Sequence, residues 1–132
     1  MGKVTGVGGV FLGLKGNDQE IRDWYEQYLG MNMSPYGTSF IDGDQLTLVS
    51  FTRSNQEGVP YINFRVDSID EVLSIVQNQG CKITSEVAEY NYGKFAQFQD
   101  PFGNYIELWE PYEEEYRKMV QQEIFEYRQK KD

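Results

Sequence analysis

An internal repeat narrows the fold of this chain more than any other feature. Residues 40–48 (Phe-Ile-Asp-Gly-Asp-Gln-Leu-Thr-Leu) resemble residues 98–108 (Phe-Gln-Asp-Pro-Phe-Gly-Asn-Tyr-Ile-Glu-Leu), with one residue pair extra in the second turn. Ahead of each stretch a helical pattern ends on glycine, at Gly30 and at Gly80. The period is near half of the 132 residues, so it marks a duplicated module and not a solenoid.

The local patterns give each module the order βαβββ. In the first, Val10, Leu12 and Leu14 alternate with Phe11 and Gly13, which predicts a strand over 4–14. Asn17 or Asp18 caps a helix whose apolar face is Ile21, Trp24, Tyr25, Tyr28 and Leu29, and Gly30 ends it. Two small strands are expected over 31–41, a turn at 42–44, a strand over 45–52 and a polar connector over 53–59. In the second module a strand over 61–66 precedes a helix capped by Asp67 or Ser68, carrying Ile69, Val72, Leu73 and Val76 and ended by Gly80. Strands follow over 82–87, 92–99 and 104–109, the last two joined by the type I turn sequence Asp100-Pro101-Phe102-Gly103. The strands must pair mostly antiparallel, with helices on one face, and the other face can curve into a cleft. The expected architecture is one α+β domain: module one over 1–57, module two over 58–111, and a C-terminal helix over 112–131. That helix carries the stripe Tyr112, Tyr116, Met119, Val120, Ile124 and Tyr127, which fits either its own domain or a second subunit.

Composition removes several function classes. The chain has no histidine, and so lacks the commonest metal ligand and the usual general base. A net charge of −9 opposes phosphate backbones and anionic membranes, so neither nucleic acid nor membrane is expected as a partner. Cys81 is the single cysteine, which excludes a disulfide within the chain and makes a cytoplasmic location the default expectation. Cys81 follows the Gly80 cap with no basic neighbour in sequence, so it reads as a structural thiol. Aromatic residues reach 15%, with 10 Tyr, which suits half-wet surfaces such as clefts and interfaces.

Strand parity selects the side chains of the cleft. Val10, Leu12, Leu14, Leu46, Leu48, Ile62, Phe64, Val66, Ala96, Phe98, Ile106 and Leu108 take the helix side. The expected lining is then Phe11, Thr47, Phe51, Tyr61, Asn63, Arg65, Phe95, Gln97, Tyr105, Glu107 and Trp109. Aromatic walls with a few polar groups describe a small-molecule pocket, or a barrel interior filled by its own rings. Two roles are open to Glu107 on the residues alone: an ion pair with Arg65, or a ligand anchor or general base.

Several stretches resemble the vicinal oxygen chelate superfamily, which includes glyoxalases, bleomycin-resistance proteins and extradiol dioxygenases. They are residues 8–12 (Gly-Gly-Val-Phe-Leu), 24–30 (Trp-Tyr-Glu-Gln-Tyr-Leu-Gly), 62–70 and, most specifically, 93–111 with its Asp-Pro-Phe-Gly-Asn-Tyr-Ile-Glu-Leu run. The resemblance spans 4–111 and implies two βαβββ modules around a cleft, usually in a homodimer, which is also the commonest soluble assembly. It further implies that a metal, where family members hold one, would meet Gly9, Thr47, Tyr61 and Glu107 here. Only Glu107 among these is a residue type that binds a divalent cation well, so neither a metal nor another cofactor is expected. The favoured function is metal-free binding or sequestration of a small cationic or aromatic molecule. The alternatives are a lyase, isomerase or dioxygenase of the same superfamily using Glu107 as base or residual metal ligand, and an assembly module built on the C-terminal helix; Glu107 is otherwise an inherited ligand position without a present role.

Overall fold

The first two helices form where their caps and apolar spacing coincide. In the computed structural model, which describes residues 2, 7–41, 43, 45–51 and 56–130, helix α1 spans Asp18–Leu29. The Asn17 side chain accepts the Glu20 N–H, and Gly30 closes the helix at φ 66°, a left-handed position that favours glycine. Helix α2 spans Ile69–Asn78, with the Ser68 hydroxyl accepting the Glu71 N–H. Their apolar faces meet one side of a mixed sheet of five strands: β1 (Asn63–Arg65), β2 (Lys82–Ile83), β3 (Ala88–Tyr90), β4 (Gly93–Gln99) and β5 (Tyr105–Pro111). The order is β1-β5-β4-β2, with β3 pairing further along the β4 edge that β2 uses. β1 runs parallel to β5, and the other pairs are antiparallel. Helix α3 spans Glu113–Lys130.

The core lies between the helices and the sheet. Ile21, Trp24 and Tyr25 of α1 and Ile69 and Val76 of α2 pack on Ala96, Phe98, Ile106 and Leu108. The alternation in β4 and β5 thus sends its apolar set to the helices, as the period of two requires. Cys81 joins the same buried cluster, and burial together with the nearby Asp100 pushes its thiol pKa up, which keeps it protonated.

A second, polar knot fastens the first half to the sheet. Asp100 is buried at the turn between β4 and β5. It accepts the Tyr25 hydroxyl at 2.7 Å, the Phe102 N–H at 3.0 Å, and both the backbone and side-chain N–H of Asn104. Asn104 in turn accepts the Lys15 N–H at 2.8 Å and donates to the Lys15 carbonyl at 3.0 Å. The turn expected at Asp100–Gly103 therefore does more than reverse the chain.

The first half departs from the pattern of its sequence. The second half forms strand, helix and strands, but the strand expected over 82–87 is reduced to Lys82–Ile83 and a further strand forms at Ala88–Tyr90. In the first, helix α1 forms, but no strand does among the described residues of 7–17, 31–41 and 45–51. Residues 4–6 and 52 of the strands expected over 4–14 and 45–52, the turn residues Asp42 and Asp44, and the connector residues 53–55 lie outside the described residues. Alternation records only that a segment suits a half-buried pleated surface; strand formation also needs a hydrogen-bonded neighbour. The described parts of these segments do not enter the sheet, and Val10, Phe11, Phe40, Ile41, Leu48, Val49 and Phe51 are exposed.

Candidate functional site

Register assembles a polar row on the sheet face opposite α1 and α2. Asn63 of β1 and Gln97 of β4 both pair with Glu107 of β5, so the three side chains stand abreast. The Asn63 amide donates to one carboxylate oxygen of Glu107 at 2.9 Å, and the Gln97 amide donates to the other at 3.0 Å. Glu107 is only 8% exposed. Two flanking amides aimed inward hold the carboxylate plane fixed, which is the condition for a directional anchor.

The next row along the strands is aromatic. Arg65, Trp109 and Phe95 stand abreast by the same register. Phe95 and Trp109 stack with ring centroids 4.6 Å apart, and Tyr116 of α3 meets Trp109 edge-on at 5.0 Å. Tyr92 adds a tilted contact to Trp109 at 6.0 Å. Gly93 permits this packing: it sits at φ 150°, and a Cβ there would lie 2.4 Å from Trp109 Cζ3.

Helix α3 is tied down at its first turn. Arg65 pairs with Glu113, and its guanidinium lies 5.6 Å from the Tyr116 ring centroid. The Tyr112 N–H donates to the Tyr92 carbonyl at 2.9 Å, and its hydroxyl donates to Glu89. The helix therefore packs on its own domain through Tyr116, which is buried, while Phe125 and Tyr127 further along are exposed. Burial pushes the Tyr116 pKa up, and Arg65 opposes that shift.

The expected lining residues divide by module. Asn63, Arg65, Phe95, Gln97, Tyr105, Glu107 and Trp109 share the face opposite the helices. Arg65 pairs with Glu113, a carboxylate that α3 brings to it and that its sequence position alone did not reveal. Phe11, Thr47, Phe51 and Tyr61 are not gathered there; Phe11 and Phe51 are 97% and 94% exposed. Their strands are absent or, for Tyr61, begin after them, so parity has no sheet to act on. Sequence reasoning missed Tyr90, Tyr92 and Tyr116. The spacing of Tyr90 and Tyr92 across a tight turn was the available signal for the first two, and the helical stripe for the third.

The fold family implies a metal in some members, and the donor set here does not fit one. Each oxygen of Glu107 is met by a neutral amide donor, Gly9 brings no donor atom, and Thr47 and Tyr61 stand exposed. Among the described residues no three of His, Cys, Asp or Glu converge. No helix among them is long and apolar enough to cross a membrane.

A family model described as "Glyoxalase/Bleomycin resistance protein/Dioxygenase superfamily" matches residues 15–108. No curated protein matches the chain. Among solved structures, the chain is similar to the genomically encoded fosfomycin resistance protein FosX from Listeria monocytogenes, at 16% identity over 86% of this chain and 99% of that one, with a TM-score of 0.54. It is also similar to a glyoxylase/bleomycin resistance protein/dioxygenase domain from Frankia sp. EAN1pec, at 21% identity over 83% of this chain and 99% of that one, with a TM-score of 0.51. TnmS3, an antibiotic binding protein from Streptomyces sp. CB03234, aligns at 24% identity over 74% of this chain and 90% of that one, with a TM-score of 0.48. At such identities the first two likenesses show the fold alone. The family match covers well over half of the chain and ends within β5, at the strand that carries Glu107. The chain belongs to the glyoxalase/bleomycin resistance protein/dioxygenase superfamily.

Proposed function

We propose that this protein binds a small cationic or aromatic molecule on the Glu107 face of the sheet, without a metal. The observation that carries this reading is the Glu107 carboxylate, fixed between two amides and set beside the Phe95–Trp109 stack. An open groove of about 400 Å³ adjoins it, lined by Glu107, Gln97, Phe95, Tyr92, Tyr90 and Ser85 among others. That volume is in the range of small-molecule sites. Rings offer a stacking surface and a cation–π face, and the carboxylate offers a charged acceptor. A net charge of −9 raises the local concentration of cations.

A thermal-shift screen of cationic and neutral aromatic compounds should yield ligands that raise Tm in a concentration-dependent way. For such a ligand, Glu107→Gln keeps the shape, removes the charge and should weaken binding by about 2 kcal/mol, roughly 30-fold in Kd. Quenching of Trp109 fluorescence should accompany binding and persist in Trp24→Phe. A ligand indifferent to both Glu107→Gln and Trp109→Phe would place the site elsewhere and end this reading.

We further propose a homodimer. The exposed Phe11, Phe40 and Phe51 support this, since one molecule leaves these large apolar side chains in water. Light scattering at micromolar concentration should report twice 15.4 kDa. A monomer at that concentration would refute the assembly and leave the Glu107 reading untouched.

A further inference from the structure

A second concavity adjoins the first through the tyrosine pair Tyr90 and Tyr92, and its lining does not include Glu107. The turn from β3 to β4 supplies one wall with Glu89, Tyr90, Asn91 and Tyr92, and α3 supplies the other with Glu115, Lys118 and Met119. The helix residues fall at spacings of three and four, so one helix face forms that wall. The space is an open groove of about 730 Å³. Its α3 wall lies beyond residue 108, where the family match ends, while its turn wall lies within the match.

Two features give the groove a chemical preference. Tyr90 and Tyr92 stack at 5.4 Å with planes 8° apart, and Tyr90 is half exposed, so a flat aromatic platform faces solvent. Glu89 and Glu115 bring carboxylates, while the ammonium of Lys118 is already engaged by Glu114 at 3.4 Å and Glu115 at 3.6 Å. The Glu89 charge is felt locally: its hydrogen bond pushes the Tyr112 pKa up to about 12. Met119 lays a polarisable apolar side chain against the same space, suited to the face of a ring.

We propose that the groove between the Tyr90–Tyr92 turn and helix α3 is a second binding site for a flat aromatic cation, one that shares the tyrosine pair with the Glu107 site but draws its charge from other carboxylates. The ring stacks on the tyrosine pair and its charge is met by Glu89, with Glu115, which Lys118 also contacts, as the second carboxylate. An anionic molecule of the same shape is disfavoured by both carboxylates.

Thioflavin T, flat and singly cationic, and 8-anilinonaphthalene-1-sulfonate, flat and anionic, are the probes, titrated calorimetrically against the full chain. Thioflavin T should bind and weaken with added salt, and the anionic dye should bind at least about ten-fold more weakly. Glu89→Gln combined with Glu115→Gln should weaken thioflavin T about ten-fold. Met119→Arg, which leaves both carboxylates in place, should do the same by adding a cation to the groove, and circular dichroism confirms that each variant is folded. Loss of thioflavin T binding in Glu107→Gln with no effect of the groove variants would assign the dye to the sheet face and overturn the groove site while supporting the first one. Absence of thioflavin T binding, or equal binding of both dyes, would also overturn it.

Discussion

Replacing Asp100 by alanine should destabilise the fold by about 4 kcal/mol, the larger of two effects expected at the turn between β4 and β5. The carboxylate is 4% exposed and accepts from Tyr25, Phe102 and Asn104. Removing it leaves several buried donors without their acceptor, and the desolvation of each is then uncompensated. The loss is also not local. Asn104 holds Lys15 through two hydrogen bonds, and Tyr25 belongs to α1, so the knot is what ties the first half to the sheet. Urea unfolding monitored by Trp24 fluorescence should show a lower midpoint with an unchanged slope. A change below about 1 kcal/mol would mean that water satisfies these donors and that the knot is incidental.

The second expectation is a fall in stability at alkaline pH that depends on one tyrosine. Tyr25 is 2% exposed, and burial, followed by its hydrogen bond to Asp100, pushes its pKa far above the ordinary tyrosine range. In the unfolded chain it titrates near its ordinary value of 10.0. The stability contributed by the neutral hydroxyl is complete below that value and is lost as pH rises above it, because only the unfolded state then releases the proton. By pH 12 the loss reaches roughly 2–3 kcal/mol. Tyr25→Phe should be less stable at neutral pH, having lost the hydrogen bond, yet show a flatter alkaline limb. Cys81 contributes with the same sign from lower pH, since burial and Asp100 also raise its pKa, so both proteins are best compared in a Cys81→Ala background. Parallel profiles for the two proteins between neutral pH and pH 12 would show that Tyr25 does not keep its proton in the folded state.

Both effects centre on the turn between β4 and β5, where local sequence and observed geometry agree. The Asp-Pro-Phe-Gly-Asn run is legible as a turn because each residue suits its position, and the chain makes that turn with the Gly103 N–H donating to the Asp100 carbonyl at 3.2 Å. The helices α1 and α2 are equally legible, because Asn17, Ser68, Gly30 and Gly80 act through bonds no more than a few residues long. In the second module, parity sorts Ala96, Phe98, Ile106 and Leu108 from Phe95, Gln97, Glu107 and Trp109, since alternation is a property of the backbone.

What the sequence did not decide was partnership. Asn63, Gln97 and Glu107 are 34 and 10 residues apart in turn, and only the parallel register of β1 with β5 and the antiparallel register of β4 with β5 set them in one row. Arg65 had two carboxylates within its possible reach, and the docking of α3 gave it Glu113. The same docking put Tyr116 on Trp109, which a helical stripe predicts as buried without saying against what. The alternation at Val10, Leu12 and Leu14 resembles that of β5, yet those residues do not join the sheet. Local sequence determines caps, turns and the face a side chain takes, because those depend on neighbours along the chain. Which strand finds a neighbour, and which charge finds its partner, depends on distances through space that the tertiary structure alone sets.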